Sequence, residues 1–399
     1  MPHATCKEKW PDRPRGPADA LYVHVPFCAA KCGYCDFYSL PHDAGRARHY
    51  LDALAAELHL RCRRLRRPLE SIYVGGGTPT CLAPEALDEL LGLPGAWIGP
   101  HTEFTVEVNP GTLDDATAAQ LVSAGVNRVT VGAQSFEQEE LEQLGRSHSA
   151  TDIARAVTAL HRAGMDNVAL DLIYGIPRQT PASWRRTLDA ALAIDPSHLS
   201  VYALSYEPQT PLAAARDAGR VVAMDDETQR DCYDEAIATA TAAGLDHYEL
   251  SNFARPNRTC RHNLTYWLNR PYIGLGPAAA SYVDGVRSVN EADLAAYTAA
   301  LTRGETPPHA SERLTGRAAM AEALMLGLRL IEGVGRRRFA DRYGTDPLDA
   351  LPYSIGRHVR CGALALTPDR LRVSPAALFV CDTIFADILA EARQERPRP

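Results

Sequence analysis

The chain lacks any run of apolar residues long enough to span a bilayer, which would take about 20 in succession. At most peripheral membrane contact is expected. Residues 1–17 are polar and proline-rich and have no apolar core, so they do not read as a secretory signal; a flexible tail is expected. A concentrated basic surface is also missing. The formal net charge is −7, which argues against nucleic acid as the main partner. The one basic run, Arg61, Arg63, Arg64, Arg66 and Arg67, reads as the solvated end of a helix. No repeat of solenoid period is visible. Cysteine, by contrast, is plentiful. Ten are present, and without an export signal the expected compartment is the reducing cytosol, where thiols serve metal or redox chemistry more than disulfides. Hydrophobic residues at 46% and charged residues at 23% leave enough apolar side chain for a sizeable core.

Between Ala18 and Ala254, short apolar segments alternate with amphipathic ones. The strand candidates are Leu21–Val25, Ser71–Val74, Phe104–Val108, Arg128–Val131, Val168–Ile173 and Leu199–Leu204. Helices are expected over Arg48–Arg64, Asp114–Ala124, Thr151–Ala163 and Pro181–Ala193. Repeated βα units predict a parallel sheet with right-handed crossovers. The expected fold is α/β, a partial (β/α)6 barrel of the TIM type over residues 18–255, with its chemistry at the strand ends. Residues 256–310 read as a connecting segment. Residues 311–396 read as a C-terminal α+β, winged-helix-like domain. It has helices over Arg317–Ile331 and after Val334, a hairpin over Leu364–Val373 turning at Pro368–Asp369, and a last helix over Ala376–Arg393. Arg336, Arg337 and Arg338 lie here, but no broader basic face supports a nucleic-acid reader, so a packing or docking role is expected.

The segment Val25-Pro-Phe-Cys28-Ala-Ala-Lys-Cys32-Gly-Tyr-Cys35 places a C-x3-C-x2-C triplet directly after the first strand. Three thiolates on one tight loop suit three irons of a [4Fe–4S] cubane and leave the fourth open for a chelating cosubstrate. A structural zinc site, with His24 as fourth ligand, is the competing assignment. Such sites typically use two separated ligand pairs, and no second pair stands out. Tyr73-Val-Gly75-Gly76-Gly77-Thr78 follows the second strand and lets backbone approach a ligand closely. No Gly-Lys-Ser/Thr follows, so it is not a Walker loop. Glu107 and Asp171 are carboxylates inside apolar strands, costly to bury without a partner. With Gln134 and Arg146, they suggest one polar pocket at successive strand ends.

The cysteine loop is similar to the radical-SAM signature. The wider segment Tyr22 through Tyr38 resembles the family of anaerobic coproporphyrinogen III dehydrogenase and its relative, the haem chaperone HemW, and the likeness extends from about Leu21 to Ile388. The resemblance implies that Cys28, Cys32 and Cys35 hold the cluster. It implies S-adenosylmethionine (SAM) contacts at Tyr22, Tyr34, Gly76, Gly77, Thr78, Glu107, Gln134, Arg146, Asp171 and Ser205. Arg178 departs from the glycine usual after Gly-Ile/Leu-Pro, which puts the shape of that loop in question.

Two features separate the relatives. The dehydrogenase pattern has a fourth cysteine two residues after the third, where this chain has Phe37. The segment Arg261-His262-Asn263-Leu-Thr-Tyr266-Trp267 resembles the H-N-x-x-Y-W motif associated with haem in HemW. His262 can ligate iron, Tyr266 and Trp267 can cover a porphyrin, and Cys260 is a second ligand candidate. The resemblance thus implies a haem chaperone that binds cluster, SAM and haem and passes haem to an acceptor protein, with a reductase or other electron donor as further partner. The alternative is an oxygen-independent coproporphyrinogen III dehydrogenase.

Overall fold

The computed structural model describes residues 16–393; all but the last two residues of the expected tail, and the final residues of the chain, lie outside this range. Six parallel strands, β1 (Ala20–Val25), β2 (Ser71–Gly76), β3 (Glu103–Val108), β4 (Arg128–Gln134), β5 (Val168–Tyr174) and β6 (His198–Ala203), lie in chain order in one sheet. Their sequences explain both faces. Leu21, Val23, Val25, Ile72, Val74, Phe104, Val106, Val129 and Val131 alternate with polar or small residues and pack outward into the main core under the helices. Each such burial contributes about 1.5–3 kcal/mol. The intervening Tyr22, Tyr73, Glu107, Arg128 and Asp171 turn inward and line a cavity. The alternation therefore separates core from site.

The helices begin at identifiable caps. Asp43 accepts from the Arg46 N–H at 2.8 Å ahead of Ala44–Arg61. Ser149 and Thr180 each form a capping box ahead of Ala150–Arg162 and Pro181–Ala193. Such caps are worth about 1 kcal/mol each. The basic run is only partly solvated. Arg61 bonds Glu57 at 2.9 Å, Arg66 pairs with Asp19, and the Arg67 guanidinium lies over Trp97.

Residues 256–310, expected as a connecting segment, supply two helices, Arg261–Trp267 and Leu294–Thr302, and three strands of the main sheet. Tyr272–Leu275 pairs in parallel with β1, and Ala280–Val283, Val286–Asn290 and His309–Arg313 extend that edge antiparallel. The other edge carries Asn252–Ala254 and Asp246–Glu249 antiparallel to β6. The sheet thus has twelve strands and remains an open, partial barrel. Glu57, fully buried, fixes the added edge: its carboxylate accepts from Gly276 N–H, the Tyr297 hydroxyl, the Asn290 amide and Arg61. Four donors offset the cost of burying that charge.

The C-terminal region has its own core of Leu324, Phe339, Leu351, Ile355, Leu371, Ile384 and Ile388. Its hairpin pairs Leu364 with Val373 and Leu366 with Leu371, and Val334–Gly335 adds a third strand. The first helix stops at Gly327, four residues earlier than the periodicity suggests. Beyond it, Leu330 bridges to Glu249 of the barrel sheet, so tertiary pairing overrides helix propensity. The last helix starts at Cys381, after a 3-10 turn over Pro375–Val380. Among the described residues, no helix is long and apolar enough to cross a membrane.

Candidate functional site

The C-terminal ends of β1–β6 and the loops beyond them enclose a cavity of about 720 Å³, within the range of small-molecule sites. The cysteine loop forms one wall. Phe27–Cys28 pairs with Leu40–Pro41, closing residues 29–39 into a loop that presents Cys28, Cys32 and Cys35, all partly exposed and none in a disulfide. Gly33 clamps this loop from two sides. Its N–H donates to the Leu144 carbonyl at 3.1 Å, and its carbonyl accepts from Leu212 N–H at 2.9 Å. Burial and the two neighbouring thiols push the Cys35 thiol up; an electropositive metal at the sulfur would reverse this. The donor chemistry suits a cluster. Three thiols face one cavity, the Arg146 guanidinium lies 3.3 Å from Cys32 Sγ, and the Thr78 hydroxyl lies 3.8 Å from Cys28 Sγ.

The glycine loop packs against this wall. Gly77 N–H donates to Val25 O at 2.8 Å and Thr78 N–H to Phe27 O at 2.7 Å. Gly76 has φ +97° and lies so close to the His24 ring that no side chain would fit. A Cβ on Gly75 would sit 2.5 Å from the Glu107 carboxyl. Each glycine therefore has its own steric reason. His24 is buried with both ring nitrogens engaged, by the Tyr22 hydroxyl at 3.0 Å and the Tyr38 carbonyl at 2.8 Å. It acts here as a packed residue.

The ten residues carried over as SAM contacts all line this one cavity. Glu107 is held in place, its oxygens accepting from the Tyr73 hydroxyl at 2.6 Å and from Gly76 N–H at 2.9 Å. Burial raises its pKa, and these two bonds oppose the rise. Asp171 is pushed up to about 7, first by burial and also by the charge of Glu107, against a hydrogen bond from Ser200. Arg146 donates to Gly132 O at 2.6 Å, and its Nε has no partner. Gln134 sits at φ +67°, an unusual backbone for a side chain of its size. Behind the wall, buried Glu140 accepts from Ser135, Ser183 and Gln179, and Gln179 in turn holds Gly175 N–H at 2.8 Å. This network fixes the loop in which Arg178 adopts φ +67°, the conformation a glycine would take freely.

The haem-motif residues divide. His262 is buried, with Nδ1 3.0 Å from Ser71 Oγ and Nε2 2.8 Å from the Tyr266 hydroxyl. Ser71 is the first residue of β2, so the helix Arg261–Trp267 closes the cavity at the strands' N-terminal end, opposite the cysteines. His262, Asn263 and Tyr266 line it there. Trp267 does not; its ring lies under the Arg329 guanidinium at 4.4 Å. Cys260 is buried with Sγ 3.7 Å from Glu103, and burial pushes its thiol up to about 12. Burial, with help from Arg128, pushes His262 down to about 3. Sequence reasoning missed Arg128, Tyr73 and Asn263 as cavity residues. The alternation Arg128-Val-Thr130-Val-Gly132-Ala-Gln134 was the available signal, since it puts Arg128 on the same face as Gln134.

Comparison with known proteins gives consistent matches. The Radical SAM superfamily matches residues 22–191, and the HemN C-terminal domain matches residues 314–380. The haem chaperone HemW of Bacillus subtilis is 35% identical over 340 residues, covering 84% of this chain and 89% of its own length. HemW of Synechocystis is 37% identical over 326 residues, covering 79% of each chain. HemW of Escherichia coli is 36% identical over 274 residues, covering 66% of this chain and 70% of its own. Among solved structures, the Escherichia coli coproporphyrinogen III oxidase HemN, a radical SAM enzyme, superposes with a TM-score of 0.81 over 94% of this chain and 91% of its own, at 22% identity. That likeness is one of fold.

Proposed function

We propose a haem-handling function from one premise: the chain belongs to the HemW family of the radical SAM superfamily. The observation that carries the site is one cavity into which one loop delivers three thiols, and into which that loop, the strand ends and the loops beyond them deliver ten polar or glycine contacts. Cys28, Cys32 and Cys35 would hold a [4Fe–4S] cluster. When bound, the cluster supplies an open iron that chelates SAM and can pass it an electron.

The protein's own part is positioning. Glu107, already fixed by Tyr73 and Gly76, offers lone pairs to hydroxyl or ammonium groups. Arg146 has unused donors for a carboxylate. Asp171, near neutrality at its pKa of about 7, gives up its proton to meet a cationic ligand. Tyr22, Tyr34, Gln134, Thr78 and Ser205 complete the contacts around Gly76 and Gly77.

The finer proposal is that the chain carries haem and delivers it to an acceptor protein, with His262 as iron ligand and Tyr266 beside it. The imidazole stays neutral at physiological pH, as a ligand must. Ligation at Nε2 would replace its contact with Tyr266. Trp267 would support the helix from behind through Arg329. A reductase or other electron donor and a cytosolic, reducing compartment belong to the same proposal. Haemin titration of the anaerobically reconstituted protein tests it. A Soret change that His262→Ala weakens is expected; no change, or one indifferent to that substitution, removes His262 from the haem site. Protoporphyrinogen formation from coproporphyrinogen with SAM and reductant would favour the dehydrogenase instead.

A further inference from the structure

We propose that Arg128 is a positioning residue of the cavity: its guanidinium is the countercharge that allows Glu107 and Asp171 to be negative where a cationic cosubstrate lies. This rests on the SAM site proposed above.

Arg128 begins β4 and points inward with Thr130, Gly132 and Gln134. It is 2% exposed. Nη1 donates to Thr130 Oγ1 at 3.0 Å, Nε has no partner, and no carboxylate forms an ion pair with it among the described residues. A buried guanidinium costs several kcal/mol unless compensated. Compensation here must come from beyond contact distance.

The groups around it identify the source. From β2 comes Tyr73, from β3 Glu103 and Glu107, from β5 Asp171, from β6 His198, from Asp246–Glu249 Tyr248, and from the motif helix and its cap His262 and Cys260. Burial and Arg128 itself hold both histidines neutral. Burial keeps the tyrosines and Cys260 protonated. That leaves the carboxylates: Glu103 bears most strongly on Arg128, and Glu107 and Asp171 also feel its charge. Asp171 is also hydrogen-bonded by Ser200 and lies in the field of Arg146, near Tyr34 and Tyr202.

Separation is useful. A direct ion pair would occupy the Asp171 oxygens and turn them from the ligand. A guanidinium on the floor lowers the cost of ionisation and leaves those oxygens open. Without it, two carboxylates sharing one cavity would not both ionise. A guanidinium shared by three carboxylates is also a poor receptor for a further anion, which argues against an anion-binding role.

SAM binding to the iron-loaded full chain, measured anaerobically by equilibrium dialysis from pH 6 to 9, tests this. Wild-type affinity should rise with pH and level off above about 7. Arg128→Met should move that midpoint up by about one unit or more and weaken binding at pH 7 by about fivefold or more. Arg128→Lys should keep the wild-type midpoint. Asp171→Asn should flatten the profile, and adding Arg128→Met should create no new slope. An unchanged midpoint in Arg128→Met at wild-type iron content overturns the role. So does a Lys variant whose midpoint lies about one unit or more above wild type, a comparison that stands even if the Met variant does not fold. Iron-loaded wild type that binds no SAM overturns the SAM site itself, a separate result.

Discussion

Gly77→Ala tests whether the glycine loop and the cysteine loop form one rigid wall. A Cβ at this position would lie 2.7 Å from the Val25 carbonyl oxygen and nearer still to that of Phe27. Both are backbone atoms, so neither can rotate away. Ordinary contact at about 3.4 Å requires the loops to part by roughly 0.7 Å or more. That opening strains the bonds Gly77 N–H to Val25 O and Thr78 N–H to Phe27 O. Overpacking of this kind costs about 1–3 kcal/mol, and two weakened hydrogen bonds add about 0.5–1.5 kcal/mol each. The sum is about 2–6 kcal/mol, or a fall in Tm of about 2–7 °C for a chain of this length. Displacing Phe27 moves Cys28 directly, so iron content after anaerobic reconstitution should fall together with SAM binding. Gly92→Ala is the control, because nothing lies within 4 Å of a Cβ there at the end of helix Pro84–Gly92. Its Tm should hold or rise slightly. A Gly77→Ala protein with wild-type Tm, iron and SAM affinity would refute the packed-wall account.

Arg178→Gly should stabilise the protein by about 1 kcal/mol, because the exposed arginine at φ +67° occupies backbone that only glycine adopts without strain; a fall in the denaturation midpoint would contradict this. His262→Ala should destabilise the empty protein by about 2–4 kcal/mol by leaving the buried Ser71 hydroxyl and the partly buried Tyr266 hydroxyl unpaired, so haem titrations of that variant need Tm measured beside them. Asp171→Asn should stabilise the ligand-free protein at pH 8 and do so much less at pH 5, where only about the first unit of the titration window has been crossed. The folded-state pKa of about 7 lies above the ordinary carboxylate value, so ionisation between about 4 and 7 costs stability that asparagine does not pay. Equal effects at both pH values would argue against the raised pKa.

The chain alone determined the chemistry that is local. Cys28, Cys32 and Cys35 lie within eight residues, and Gly75–Thr78 are contiguous, so spacing carries their meaning wherever the fold places them. Six parallel strands were legible because buried β-residues repeat every second position, and the same alternation hid Arg128, a strand's first residue, in plain view. Arg178 was noticed as a departure from glycine, but only the structure showed that its loop keeps the glycine-like turn, braced through Gln179 and Glu140. Tertiary structure decided what depends on distant partners. The strands after residue 271 are short and weakly patterned, and they exist because Glu57 and β1 receive them. His262 and Trp267 are five residues apart in one motif, yet the helix turns the first into the cavity and the second toward Arg329. Sequence spacing names the donors; only the packing of β2, β4 and that helix fixes which of them share a wall, and burial then sets which carry charge.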